Sequence, residues 1–438
     1  MNSELPSGWV KSQLFNLAAD KPFAIVDGPF GTQLHHDEYV SDGVPVVRIV
    51  NLSYDGRFLN DDLVFITEKK AEELSRSIVN PNDIIIAKTG ATIGKLGMFP
   101  ESYERGIIAS SCLKITPNSN LINPKYLLHL LTSEYGQRGI VNGAIGSTRA
   151  TINITPFGKI EVYHPIDTNE QRRIVEILGT ISDAIRKTEA LIVKLKQIRA
   201  GLLHHLLTCG LDENGQIRNP ITQPEQFKDS SVGPIPKSWR SRSLWELVPI
   251  AEYGISSPLY DSGKTPVLRM NNLSDGEASL TDLRFTNAEI PEDLILRPND
   301  VLFNRTNSMV HVGRTGIWRG QIERATFASY LVRLTPNLDL LTPEYLNLLL
   351  NLPEAQIKMR RFATPAVQQV NINPTNLRKI VVAVPDDLQE QILVVDRISD
   401  VSGNIRQRQI ILTKLQSLKH GLMSDFLTGR VRVPEGII

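Results

Sequence analysis

Cysteine is nearly absent from this chain of 438 residues, which has only Cys112 and Cys209. The two stand in unlike contexts, so they are expected to be free thiols in a reducing compartment rather than a disulfide. No stretch is long and apolar enough to cross a membrane. The first residues, Met1-Asn-Ser-Glu-Leu-Pro6, lack the basic start and apolar run of a secretory signal, and a cytoplasmic protein is expected. An excess of one charge is missing too, since 48 Lys and Arg face 47 Asp and Glu, for a net charge of +1. Residues 1–165 carry 15 basic against 17 acidic side chains, a net of −2, and residues 237–385 carry 17 against 14, a net of +3. Neither half is the strongly basic body of a free-standing DNA binder, because phosphate contacts supply most non-specific affinity. A nucleic-acid target would require basic residues grouped on one face, or a partner that supplies part of the grip.

Catalytic constellations are also missing. Gly90-Ala-Thr-Ile-Gly94-Lys95-Leu96 looks like a phosphate loop, but it is one residue short between the glycines and has Leu where Ser or Thr must hold magnesium. Its counterpart in the second half, Val310–Gly316, departs further. The histidine pairs His35-His36 and His204-His205 are expected to point apart at the surface, and no Cys/His set has zinc spacing. There is no Gly-x-Ser-x-Gly elbow and no glycine-rich dinucleotide or methyl-donor fingerprint. Asp83 and Lys88 flank a strand as in some nucleases, yet Ile86 and Ala87 stand where the second acid is needed. No catalytic residue and no metal ligand is assigned.

What the chain does have is a copy of itself. Pro6, Trp9, Leu14 and Leu17 return as Pro236, Trp239, Leu244 and Leu247. Thr116-Pro117-Asn118 with Pro124 and Tyr126 returns as Thr335-Pro336-Asn337 with Pro343 and Tyr345. Glu170-Gln171 returns as Glu390-Gln391, a spacing of 220 that is far too long for a solenoid or propeller. Each copy is domain-sized, so the chain is a dimer written as one polypeptide. Both copies open with an α/β pattern. Val44–Val50 and Thr265–Met270 are short apolar runs, and Asn82-Asp83 and Asn299-Asp300 turn into apolar strands. Glycine-rich turns and a helix starting at Pro124 or Pro343 follow.

Residues 169–208 and 389–429 carry the strongest helical patterns. Ile174, Leu178, Ile181, Ile185, Ile192, Leu195, Leu202 and Leu206 recur at steps of three and four. Val394, Ile398, Val401, Ile405, Leu412, Leu415, Leu422 and Phe426 repeat them in register. Both seams are interrupted at the same places, by Thr188 with Arg408 and by Arg199 with Lys419. A 3.5-residue period of this length is a coiled-coil seam, and duplicated helices paired about a perpendicular pseudo-two-fold axis run antiparallel. Forty residues make a rod of about 60 Å. Gly201 and Gly421 weaken the helices and are expected to allow close approach or a bend.

The remaining chemistry is that of recognition. The first copy carries Arg48 within its apolar run and Lys88, Thr89, Lys95, Arg138, Asn142, Thr148 and Arg149 in predicted loops. The second copy carries Arg269 within its apolar run and Asn304, Arg305, Thr306, Arg314, Arg360, Arg361, Gln368 and Gln369 in predicted loops. Arg reads guanine and Asn or Gln reads adenine by paired hydrogen bonds in the major groove, while other cations hold phosphates. Any one of these residues could be an ordinary solvated side chain, so the grouping in both copies is the signal.

Over essentially its whole length the chain resembles the specificity subunit of type I restriction–modification systems. The first copy carries the resemblance in Asp27-Gly-Pro-Phe-Gly31, Pro45-Val-Val-Arg48 with Asn51, Glu170-Gln-Arg-Arg-Ile174 and Lys194-Leu-Lys-Gln-Ile198 with Gly201. Asp212-Glu-Asn-Gly-Gln216 and Pro224-Glu-Gln-Phe-Lys-Asp-Ser230 carry it in the connector, and Tyr253-Gly-Ile-Ser256, Pro266-Val-Leu-Arg269 and Gly421 through Val433 in the second copy. The copies depart from each other in their recognition halves, and at Cys209-Gly210 against Gly429-Arg430. The resemblance implies an α/β (α+β) target-recognition domain at 1–168 and a spacer helix at 169–208. After a connector at 209–235 come a second recognition domain at 236–388, a spacer helix at 389–429 and a tail at 430–438. It implies no catalysis or cofactor in this chain. It further implies double-stranded DNA as target and two methyltransferase subunits using S-adenosylmethionine, docked on the coiled coil. Motor–nuclease subunits using ATP and magnesium complete the set. Three rival readings stay open: a free-standing tandem DNA-binding regulator, a self-contained duplicated nuclease or methyltransferase, and a coiled-coil scaffold with no nucleic acid.

Overall fold

A computed structural model of the chain describes residues 5–30, 33–146, 150–366 and 369–433. The chain divides into two compact units, residues 1–189 with 410–438 and residues 190–409. Two long helices, Thr168–Thr208 and Leu388–Phe426, each contribute to both units. The first unit therefore holds one α/β head, the start of the first long helix and the end of the second. The second unit holds the other head, the end of the first long helix and the start of the second.

In the first unit, Asn82 takes a left-handed φ of 69° and turns the chain into the strand Ile84–Ala87. That strand lies inside a four-stranded sheet ordered Ile25–Asp27, Cys112–Ile115, Ile84–Ala87, Leu96–Met98. Its side chains alternate between two cores, as strand geometry requires. Ile84 and Ile86 join the cluster beneath the helix Pro124–Thr132, with Leu127, Leu130 and Ile174. Ile85 and Ala87 join Val47, Ile108 and Phe99 against a second four-stranded sheet. Both faces are covered, which is why the strand reads as an unbroken apolar run. Each side chain fully buried here stabilises the head by roughly 1.5–3 kcal/mol. Pro124 sits in the first helical turn, and Asn123 caps it by accepting from the N–H groups of Lys125 and Tyr126.

The second unit repeats this plan. Asn299, at φ 74°, leads into the strand Val301–Asn304, which lies third in a six-stranded sheet. The helix Pro343–Asn351 covers it with Leu346, Leu349 and Leu350. A small three-stranded sheet ordered Thr306–Asn307, Gln369–Ile372, Ala363–Ala366 has isolated bridges as its counterpart in the first head, Thr89 with Thr151 and Ile145 with Thr151.

Within each unit the long helices run antiparallel. In the first, Ile174 and Leu178 pack in one core with Leu422 and Phe426. In the second, Leu202, Leu203 and Leu206 pack with Val394 and Ile398, and Arg199 Nε donates to Ser402 Oγ at 2.7 Å. All sixteen seam residues are buried or half-buried. The other seam-breaking cation, Lys419, is half-buried near Asp55, Arg57 and Glu189, and burial lowers its pKa.

Buried glutamines join each head to its helix. Gln171 Nε2 donates to the carbonyls of Leu121 and Pro165, and its Oε1 accepts from Asn123 N. Gln391 repeats this with Leu340, Pro385 and Thr342 N. The glutamates beside them are tied to the segment that follows the other long helix. Arg432 reaches Glu170 with two bonds, of 2.7 and 2.6 Å, and Arg218 reaches Glu390 at 2.8 Å.

Four details differ from expectation or extend it. A Cβ at Gly201 or Gly421 would meet nothing within 4 Å, so close approach is not the reason for either glycine. The helices also continue through both positions without a break. The departure at Cys209-Gly210 is one extra residue before the terminus, since Gly210 (φ 65°) and Gly429 (φ 71°) are the left-handed residues past the two helix ends. The exposed rings of His204 and His205 do not diverge but meet edge to face at 5.5 Å. Cys112 and Cys209 are free and buried, and burial pushes the Cys112 thiol up to about 12. Among the described residues no helix is long and apolar enough to cross a membrane.

Candidate nucleic-acid interface

The central strand of each head runs straight into a recognition candidate. Lys88 follows Ala87, which pairs with Cys112, and Arg305 follows Asn304, which pairs with Leu331. Lys88 N donates to Ser111 O at 2.9 Å, and Lys88 O accepts from Ile152 N at 2.9 Å. Arg305 makes the same two bonds, to Tyr330 O at 3.1 Å and from Ile372 N at 2.8 Å. The positions are equivalent, yet their side chains meet different neighbours. Lys88 Nζ lies 3.2 Å from Asp27 Oδ2. The residue equivalent to Asp27 is Tyr253, because both close the edge strand two residues along the ladder. Its ring lies 4.9 Å below the Arg305 guanidinium. Arg305 Nε is buried, and its side chain has no hydrogen-bond partner among the described residues. The cation is therefore neutralised in the first head and held free on an aromatic face in the second.

Arg48 and Arg269, both candidate base contacts, brace turns inside their heads. The Arg48 guanidinium donates to Asp62 O, and Asn51 Nδ2 holds Leu59 O and Asp61 O at 3.1 and 2.9 Å. Arg269 Nη2 donates to Asp282 O at 2.7 Å and to Asp282 Oδ2 at 2.8 Å, and Asn272 holds Ser279 O and Thr281 O. Each arginine keeps its Nε buried. Both backbone N–H groups donate to the partner asparagine, at 2.9 and 2.8 Å.

The other candidates are scattered. Lys95 Nζ lies 5.7 Å from the Tyr54 ring centroid, and Thr89 is half-buried. Arg138 is exposed and paired with Glu134 one helical turn away, and Asn142 is exposed at the end of the same helix. Asn304 is 1% exposed and Thr306 7% exposed, with Thr306 Oγ1 donating to Asn371 Oδ1 at 3.0 Å, so neither offers its side chain to a ligand. Arg314 and Arg360 line a cleft of about 960 Å³ with Arg199, Arg319 and Arg406. Arg360 Nη2 donates to Val310 O at 3.2 Å. Arg361 is exposed, and Gln369 starts the middle strand of the small sheet. Thr148, Arg149 and Gln368 lie outside the described residues.

Asp83, weighed above for a nuclease, is buried and bonded to Lys114 Nζ at 2.7 Å and to Asn80 N at 2.9 Å. Tyr253, half of whose surface is exposed, and Asp27 enter the sequence reading only through the family resemblance and Tyr330 not at all, so none of them was assigned to recognition. The available signal was an aromatic residue just before Gly254, whose backbone approaches Phe327 O so closely that a Cβ would come within 2.1 Å.

Comparison with known proteins gives this geometry a family. The type I restriction modification DNA specificity domain matches twice, over residues 32–197 and 236–416. The type I restriction enzyme StySPI specificity subunit of Salmonella potsdam is 21% identical over 440 residues, covering 98% of this chain and 90% of that protein. A provisionally named type I restriction enzyme MjaX specificity subunit of Methanocaldococcus jannaschii is 28% identical over 208 residues. That match takes in 47% of this chain and spans about half, 49%, of the relative. The crystal structure of the S subunit of a type I restriction–modification system from M. genitalium matches with a TM-score of 0.59 at 14% identity, over 98% of this chain and 97% of that one, a likeness of fold. With the family's domain present in both halves, the chain belongs to the type I restriction–modification specificity subunits and carries their DNA recognition domains.

Proposed function

We propose that the chain reads a bipartite double-stranded DNA target with an unspecified gap, one element by residues 1–168 and the other by residues 236–388. The observation that carries this reading is the pair of buried glutamine joints. Gln171 and Gln391 each bind three backbone groups of their own head, so each head is fixed to the helix that leaves it. A head held in that way transmits the length of its helix to the spacing of what it reads, and half-sites about one duplex turn apart or somewhat further suit such a spacer.

The outer faces of the helices suit partners in duplicate. Leu191 and Ile198 are exposed, seven residues apart on one helix, and Ile411 and Leu418 stand exposed at the same interval on the other. Each pair lies on one helical face, and the second repeats the first at a spacing of 220. This supports docking of two copies of one methyltransferase subunit. Methyl transfer from S-adenosylmethionine and cleavage driven by ATP and magnesium then belong to partner subunits, and this chain is a non-catalytic guide.

Inserting residues in either long helix should change the gap that is methylated and leave both half-sites intact. Methylome sequencing of cells carrying such a variant with its partners reads both quantities. Altered half-sites with an unchanged gap would refute the spacer role.

A further inference from the structure

We propose that Arg305 reads a guanine in the element recognised by the second head, and that Tyr253 is the residue that positions it. This inference rests on the DNA-reading role proposed above. Three observations carry it. The Arg305 backbone is pinned on both sides, by Tyr330 O and by Ile372 N, so the side chain leaves from a fixed point. Its guanidinium lies 4.9 Å from the ring centroid of Tyr253, a platform the first head lacks because Asp27 stands there. Its Nε is buried, so the Nη1 and Nη2 edge is the donor pair left to present outward.

An end-on pair of N–H donors at fixed orientation matches the O6 and N7 acceptors of guanine, the commonest specific contact of arginine in the major groove. A phosphate could also accept this edge, but phosphate binding demands neither a stacked plane nor one rotamer. The surroundings suit a duplex surface, for Tyr253, whose ring carries the guanidinium, and Tyr330, whose carbonyl holds the Arg305 N–H, are both exposed. The equivalent lysine in the first head is a point charge cancelled by Asp27, and it can supply no such fork.

The test uses the chain assembled with its methyltransferase subunits and a duplex library randomised over the target. Arg305→Lys keeps the charge and the backbone bonds of residue 305 and removes the fork. Preference at one position of one element should fall roughly ten- to a hundredfold, through lower methylation of duplexes with the preferred base there and not of the others. Tyr253→Leu should relax the same position by a smaller factor. A uniform loss across all sequences would show a phosphate contact and overturn the inference. Unchanged base preference in Arg305→Lys would overturn it as well. If the unaltered complex itself shows no two-element preference, the DNA-reading proposal fails instead.

Discussion

The two heads keep the same frame and differ in the atoms left over. Several residues present in both copies spend their hydrogen-bonding atoms inside the head. Gln137 Nε2 holds Gly94 O and Leu131 O, and Gln356 Nε2 holds Gly313 O and Leu350 O. Gly94 and Gly313 take left-handed φ values of 91° and 88°, and a Cβ would run into the same glutamines. Arg48 and Arg269 brace the same turn. Where the copies diverge, the side chain has atoms to spare, as at Lys88 with Asp27 against Arg305 with Tyr253. A duplicated reader can change what it reads only where its own backbone makes no claim on the side chain.

The largest predicted difference lies at the joints. Glu390 Oε1 accepts from Arg218 Nη1 at 2.8 Å, Trp239 Nε1 at 3.0 Å and Leu211 N at 2.8 Å, all in a buried setting. Glu170 accepts two bonds from Arg432, which is half-exposed, while the Trp9 Nε1 equivalent to that of Trp239 has no partner. Glu390→Ala strands a buried cation and two N–H groups and should cost about 4 kcal/mol. Glu170→Ala frees a cation that water can reach and should cost about 2 kcal/mol. Chemical denaturation with hydrogen exchange followed in each unit compares them, and equal losses would break the asymmetry between the joints.

The helical seams were the most legible part of the chain, because only a long buried helical stripe sustains a 3.5-residue period over forty positions. Strands flanking Asn82 and Asn299 were legible for a similar reason, since turn residues marked where each apolar run began. The candidate site was far less so. Arg48 and Arg305 look alike in sequence, but one guanidinium is used by a carbonyl fourteen residues on and the other is free. Asn304 looked like an adenine reader and is buried at the end of a central strand. Local sequence states which groups can recognise DNA, and long-range packing decides which remain available. The role of Tyr253 beside Arg305 was missed because the two lie 52 positions apart in the chain.

A second contrast is set by acid. His129 is held among the apolar residues beneath the first head, and burial, aided by the nearby Lys419 ammonium, pulls its pKa down to about 4. Leu348 takes its place in the second head, three residues after Tyr345 as His129 is after Tyr126. The unfolded chain protonates near 6.5 and the folded one near 4, so His129 has no effect on stability above pH 6.5. Between pH 6.5 and 4 the unfolded state takes up the proton first, and the first unit should lose roughly 3 kcal/mol. His129→Leu should remove that loss. Melting curves from pH 7 to pH 4 test it, and a first unit that loses as much stability in His129→Leu as in the unaltered chain would contradict it.

The smallest predicted effect concerns how each head meets the long helix within its own unit. In the first unit Arg57 Nη1 lies 3.2 Å from Glu189 Oε2 on the long helix, and Arg57 Nε lies 2.7 Å from Asp55. The residue equivalent to Arg57 is Glu277, since each follows a left-handed glycine, Gly56 or Gly276. Glu277 turns instead to Arg319 at 3.3 Å within its own head, and the arginine-lined cleft opens there. The first head thus has an ionic strap at a place where the second has a gap. About half of the Arg57 side chain is exposed, so Arg57→Ala should cost about 0.5 kcal/mol, and the difference should vanish at high salt. A loss above about 2 kcal/mol, or one indifferent to salt, would mean that the strap and not the glutamine joint seats the first head. The two heads would then differ in mechanics as well as in chemistry.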